Sequence, residues 1–163
     1  MGLQLPGELV WALGLIGLNW PEADEEKLFD LGQTWLQLSG AVHATATQAD
    51  TAATRVWQEN SGDAVSAFQA YWSEHGPNAA LDLAADAATV LGVGLIVYAA
   101  IVLGLKINVI VQLVILAIEI AEAIATAGPT FGASLLEVPV FQQLTRTIVE
   151  NLIWEVIGEI IGG

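Results

Sequence analysis

Cysteine is absent from the 163 residues, so neither a disulfide framework nor a thiolate metal site can form, and the redox compartment stays open. Basic residues are scarce: Lys27, Arg55, Lys106 and Arg146 stand against eighteen acidic residues, for a formal charge of −14. No basic patch is available for nucleic acid or anionic lipid, whereas a basic partner, or solubility alone, fits that balance. Histidine occurs twice, as His43 and His75 on different segments, which leaves no paired imidazoles for acid–base work. The flank of a helix explains His43, and an exposed position before a Gly-Pro break explains His75. Glu119 and Glu122 share a helical face without matching histidines, and they read, like Asp82 and Asp86, as a solvated face. Gly92-x-Gly94 lacks the lysine and strand context of a phosphate loop, and no serine or threonine sits in a nucleophile elbow. No catalytic residue, metal ligand or cofactor is expected, and the chain is read as non-enzymatic.

What the chain has in quantity is apolar surface: 55% of its residues are hydrophobic and 13% charged. The length suits one domain, residues 1–163, with a proper core. Its segments are a short helix within 1–20, a hairpin over 21–76, a long apolar helix over 77–128 and a closing helix over 139–161. Pro6 suits the start of the first helix, with Leu9, Val10, Leu13 and Ile16 on one side and Gly17 at its end. The stretch from Asn19 to Glu26 reads as a helix start, because proline and carboxylates complement the helix dipole there. Leu28, Leu31, Trp35, Leu38, Val42, Thr45, Ala49, Ala52 and Val56 then follow a three-four spacing, the pattern of a coiled-coil-like seam. Its residues shrink between Val42 and Ala52, where the partner helix is expected closest. Gly76-Pro77 breaks the second arm. Pro139 opens a last amphipathic helix carrying Phe141, Leu144, Ile148, Leu152, Val156 and Ile160. The fold class is all-α: an elongated helical hairpin or bundle with a long apolar central helix and an amphipathic carboxy-terminal helix.

Between the two arms lies Asn60-Ser61-Gly62, with turn chemistry. Gly62 can take a positive φ and end a helix, Ser61 can cap the next one, and Asp63 complements its dipole. Trp57, Phe68, Tyr71 and Trp72 are expected to gather at this tip. The order Trp57, short turn, Gly62, Ala64, Ala67, Phe68 resembles the WXG100 superfamily of helical hairpins, in which the Trp stands two residues before the Gly, whereas here it stands five before. The stretch from Gly17 to Glu25, the turn with Phe68 and Trp72, and Phe131-Gly132-Ala133-Ser134 with the closing helix look similar to the amino-terminal domain of CpnT-like polymorphic toxins of actinobacteria. The resemblance covers nearly all of the chain. It implies export by type VII secretion, and hence a secreted or cell-surface location. It also implies the secretion machinery or a WXG100-like hairpin as partner, with Trp57, Asn60, Ser61, Gly62, Phe68 and Trp72 as interaction and turn residues. Residues 1–163 are expected to be a stand-alone protein or the leading domain of a toxin. A conventional signal peptide is not expected. The family's tyrosine export signal is not matched, since His75 and Val102 stand four residues after Tyr71 and Tyr98 where an acidic residue belongs.

Residues 87–105 carry no charge, and a second apolar run follows Lys106 and Asn108. Two readings stay open. In the first, the run is the central helix of a soluble bundle, wrapped by its amphipathic neighbours. In the second, residues 87–118 enter a bilayer as a pore or anchor, with Gly92, Gly94, Tyr98, Gly104 and Lys106 in the membrane segment and Ala100 and Gly104 as a small-xxx-small pair. A straight helix over that run is about 47 Å long against a bilayer core of about 30 Å, with Lys106 near its middle. A homo-oligomer is compatible with either.

Overall fold

The computed structural model describes residues 2–162, and among them there are helices and turns but no strand. A 3-10 turn at Gly7–Leu9 runs into α1 (Val10–Ile16), followed by α2 (Glu25–Glu59), α3 (Asp63–His75) and α4 (Asn78–Thr126). A second 3-10 turn, Ala133–Glu137, leads into α5 (Val138–Gly162). The fold is all-α, with a 49-residue central helix and a carboxy-terminal helix. The chain divides into two compact units: Leu28–Val97, the hairpin unit, and a terminal unit of the residues before and after it.

In the terminal unit, α1 stops at Gly17, which takes a left-handed conformation with φ 68° that costs a Cβ-free residue nothing. The core-facing side of this segment is Leu9, Ala12, Leu13 and Ile16. Val10 is exposed, so Ala12 holds the place that periodicity assigned to it. These residues pack with Leu105, Val109, Leu113, Leu116 and Ile120 of α4 and Val149 of α5. Asp24 begins α2 by accepting the Lys27 backbone N–H at 3.1 Å, which is N-cap geometry. That bond holds the Asp24 carboxyl below its ordinary pKa. In α5 the buried positions are Thr145 and Val149, while Leu144 is exposed and Ile160 is partly so. Helix α5 therefore turns its inner face one residue away from the expected stripe at Leu144. Phe131, before α5, combines φ 53° with 99% exposure.

In the hairpin unit, α2 buries Gly32, Ala46 and Ala53, and half-buries Leu28, Trp35, Ser39, Val42 and Ala49. The seam is thus half as expected. Leu28, Trp35, Val42 and Ala49 lie on it, but Leu31, Leu38, Thr45, Ala52 and Val56 face outward and their C-terminal neighbours replace them. Small residues are what a close helix crossing selects. A Cβ at Gly32 would fall 2.8 Å from the Gly92 carbonyl oxygen and 2.7 Å from Ile96 Cγ1. One at Gly92 would fall 2.9 Å from the Gly32 carbonyl oxygen. A close approach is therefore made at Gly32, upstream of the expected 42–52 stretch, within which Ala46 is also buried. Ala85 and Ala88 of α4 are buried in the same unit, and Ser39 and Thr89 share a hydroxyl hydrogen bond of 2.8 Å.

On the outer side of α2, the Thr34, Thr45, Thr47 and Thr51 hydroxyls donate to the carbonyls of Asp30, Ala41, His43 and Thr47 at 2.8–3.0 Å.

Candidate interaction site at the hairpin tip

The tip is closed by rings and by one carboxylate. Trp57 of α2 lies 5.9 Å, centroid to centroid, from Phe68 of α3, and Phe68 lies 5.9 Å from Trp72. Both pairs are tilted, as ring quadrupoles favour. Tyr71 does not join them: it is exposed and stacks on His75 at 4.9 Å. Tyr71 and Trp72 are consecutive and so about 100° apart round the helix, and α3 buries none of its side chains. Asn60 closes α2 by donating to the Val56 carbonyl at 3.0 Å. Gly62 has φ 123° and ψ 170° and is itself the N-cap of α3, with no side-chain cap. The expectation that Ser61 caps α3 is corrected: it is exposed, and Gly62 occupies the capping position.

Asp50 was not singled out by sequence, yet it is the polar centre of the tip. Its Oδ1 accepts Trp72 Nε1 at 3.2 Å and Asn78 Nδ2 at 2.9 Å. One carboxylate of α2 thereby holds both α3 and the first residue of α4. The signal that was present is a lone acid amid the small residues 44–53, adjacent to seam residue Ala49. Asp50, Thr54, Trp57, Ser66, Gln69, Ala70, Trp72 and Ser73 line a shallow open groove of about 460 Å³. Its mixed lining offers an apolar wall and hydrogen-bonding rims, the make-up of a docking surface. Among the described residues no cluster of three or more His, Asp or Glu could hold a metal ion.

The residues assigned to a membrane segment are not gathered into one site. Gly92 is buried against Gly32 and Leu36, while Gly94 has open space about it. In the terminal unit Tyr98 donates to the Ile160 carbonyl at 3.4 Å, an added Cβ at Gly104 would meet nothing within 4 Å, and Ala100 is exposed. Lys106 is 1% exposed, and its Nζ lies 2.7 Å from Glu25 Oε2. Helix α4 is apolar on its outward side too. Val90, Val93 and Val97 in the hairpin unit, and Leu103, Ile107, Val111, Val114 and Ile118 in the terminal unit, are 38–72% exposed. The segment Asp63–Thr126 contains a window of mean hydropathy 2.5, long and apolar enough to cross a membrane, of which 33% is buried.

Among known families, the model of the WXG100 like domain matches residues 6–148. No curated protein and no solved structure matches the chain.

Proposed function

Because the chain belongs to the WXG100-like domain family of type VII secretion-related helical proteins, we propose that it is a non-enzymatic export and interaction module, of the kind that leads a CpnT-like polymorphic toxin. In this reading the protein is exported as a folded helical surface and reaches the outside of the cell by the type VII route. It pairs with a WXG100-like hairpin, or with a second copy, along an apolar helix face. The observation that carries the reading is the outward apolar side of α4, Val90, Val93 and Val97 in the hairpin unit and Leu103, Ile107, Val111, Val114 and Ile118 in the terminal unit, each set at three-four spacing and uncovered in the single chain. The aromatic tip, Trp57 with Phe68 and Trp72, supports recognition at the other end of the hairpin unit.

Size-exclusion chromatography with light scattering, on the chain alone and with a co-expressed WXG100-like partner, tests the pairing. A discrete hetero- or homodimer is the expected result, and a monodisperse monomer in both samples refutes it. For the tip, Gly62→Val with an unchanged melt and lost export supports direct recognition, whereas a parallel loss of both assigns Gly62 to hairpin closure.

The hydropathy of the α3–α4 segment favours a second reading, insertion of residues 87–118 into a bilayer as a pore or anchor. Flotation with liposomes separates the two: a protein that stays off the vesicles at neutral and acidic pH excludes constitutive insertion.

A further inference from the structure

Glu25 and Lys106 are 81 residues apart in sequence, and both are buried. Of the other described pairs, Lys27–Asp24 and Arg146–Glu150 tie neighbours on the chain, and His43–Asp82 joins α2 to α4, but all of these lie at the surface. The Glu25 carboxylate also accepts the Leu3 backbone N–H. Gly2 is packed so closely on that carboxylate that a Cβ there would fall 2.5 Å from Oε2. Trp20 lies beside the pair, its ring centroid 5.9 Å from Lys106 Nζ and its own indole N–H without a partner. Three points of the amino-terminal segment, at residues 2, 3 and 20, thus meet one charge pair whose other half is in the middle of α4.

Further along that segment, Leu9, Ala12, Leu13 and Ile16 hold on through apolar contact. Helix α1 has seven residues, too few to persist detached in water, so it is either docked on α4 or unfolded. A buried ion pair adds little net stability, but any state that leaves one of its charges buried and unmatched is strongly penalised. Docking is therefore all-or-none: both charges are covered together, or both are in water.

We propose that residues 2–24 are a detachable cap seated on the Glu25–Lys106 pair through Gly2, Leu3 and Trp20, and that its release uncovers the part of the Leu105, Val109, Leu113 and Leu116 cluster that α1 packs against, as a second apolar face of α4. Release adds to the apolar surface of the central helix without unfolding the hairpin unit. This goes beyond the partner pairing proposed above, which uses the face that is already open.

Native-state amide exchange on the full chain tests it. In the wild type the amides of α1 are expected to exchange as one group, through an opening that leaves residues 40–56 of α2 protected. Glu25→Gln, which strands the Lys106 charge, is expected to speed exchange in α1 by at least about 100-fold and exchange in 40–56 by less than about threefold. Replacing both members, Glu25→Leu with Lys106→Met, is expected to return α1 to wild-type protection, since the apolar pair leaves no orphaned charge. A unique thiol at Val109→Cys, in this cysteine-free chain, is expected to label faster in the Glu25→Gln background alone. Exchange of α1 and α2 through one shared opening in the wild type, equal acceleration of both by Glu25→Gln, or a double variant as open as the single one would each overturn the latch.

Discussion

Replacing Gly32 by alanine places one methyl group where α2 and α4 of the hairpin unit approach closely. On a solvent-facing helical site the same change stabilises by about 0.5–1 kcal/mol, because glycine loses more backbone freedom on folding. Gly40, on the same helix, is such a site, with nothing within 4 Å of the added Cβ. At Gly32 the Cβ would meet the Gly92 carbonyl oxygen at 2.8 Å. That atom belongs to the backbone of α4 and cannot swing aside as a side chain would. Separating the helices enough to relieve the clash forfeits packing, and overpacking of this kind costs about 1–3 kcal/mol. The two variants should therefore differ in sign: Gly40→Ala more stable than wild type by up to about 1 kcal/mol, Gly32→Ala less stable by about 1–2 kcal/mol. For a chain of this size that corresponds to roughly 2–4 °C per kcal/mol in Tm. Thermal and urea melts followed by helical circular dichroism measure both. If Gly32→Ala melts at or above Gly40→Ala, the close crossing of Gly32 and Gly92 is refuted.

Asp50→Ala removes the acceptor shared by Trp72 and Asn78 and should cost about 1 kcal/mol, with a shift in tryptophan emission that Asp30→Ala does not produce. Burial alone would raise the pKa of Glu25, but hydrogen bonds from Lys106 and the Leu3 N–H outweigh it and hold the carboxyl below the ordinary 4.5. Its stabilising contribution is thus fully present above about that value and is lost only as pH falls through the lower folded pKa. Protection of α1 should accordingly be unchanged between pH 7 and pH 5, and a loss already complete at pH 5 would contradict the pairing. Phe131→Asn should be neutral or stabilising by up to about 1 kcal/mol in a melt, because asparagine tolerates positive φ and a ring that is 99% exposed forfeits no packing.

The helical class, the break at Gly76-Pro77 and the aromatic tip were legible because each rests on local chemistry: periodicity, a ring without an N–H, neighbouring rings across a short turn. The inner register of α2 was legible only at every other seam position. Leu28, Trp35, Val42 and Ala49 are large or apolar enough to mark a seam, but Leu31 and Leu38 look more like core than Gly32 and Ser39 do. The sequence pattern rewards size, whereas a close crossing selects its absence. The same reasoning misplaced the stripe of α5, where Leu144 outranks Thr145 by hydrophobicity and is nonetheless the exposed one. Lys106 was conspicuous as a charge inside an apolar run, yet its partner stands at the start of α2, and no local pattern connects the two. Asp50 was hidden for a similar reason, since its partners Trp72 and Asn78 become neighbours only once the hairpin has closed.

The threonines along the outer side of α2 alter how that side behaves toward another molecule. By composition it is polar, and a hydroxyl buried without a hydrogen bond would cost a partner about 1–3 kcal/mol. Thr34, Thr45, Thr47 and Thr51 each direct the hydroxyl proton to a carbonyl one turn back on their own helix, so no donor is stranded when water leaves. At Thr47 and Thr51, four residues apart and so on one side of the helix, what stays outermost is a pair of methyl groups. A helix laid over them would dehydrate them at about the cost of an alanine surface.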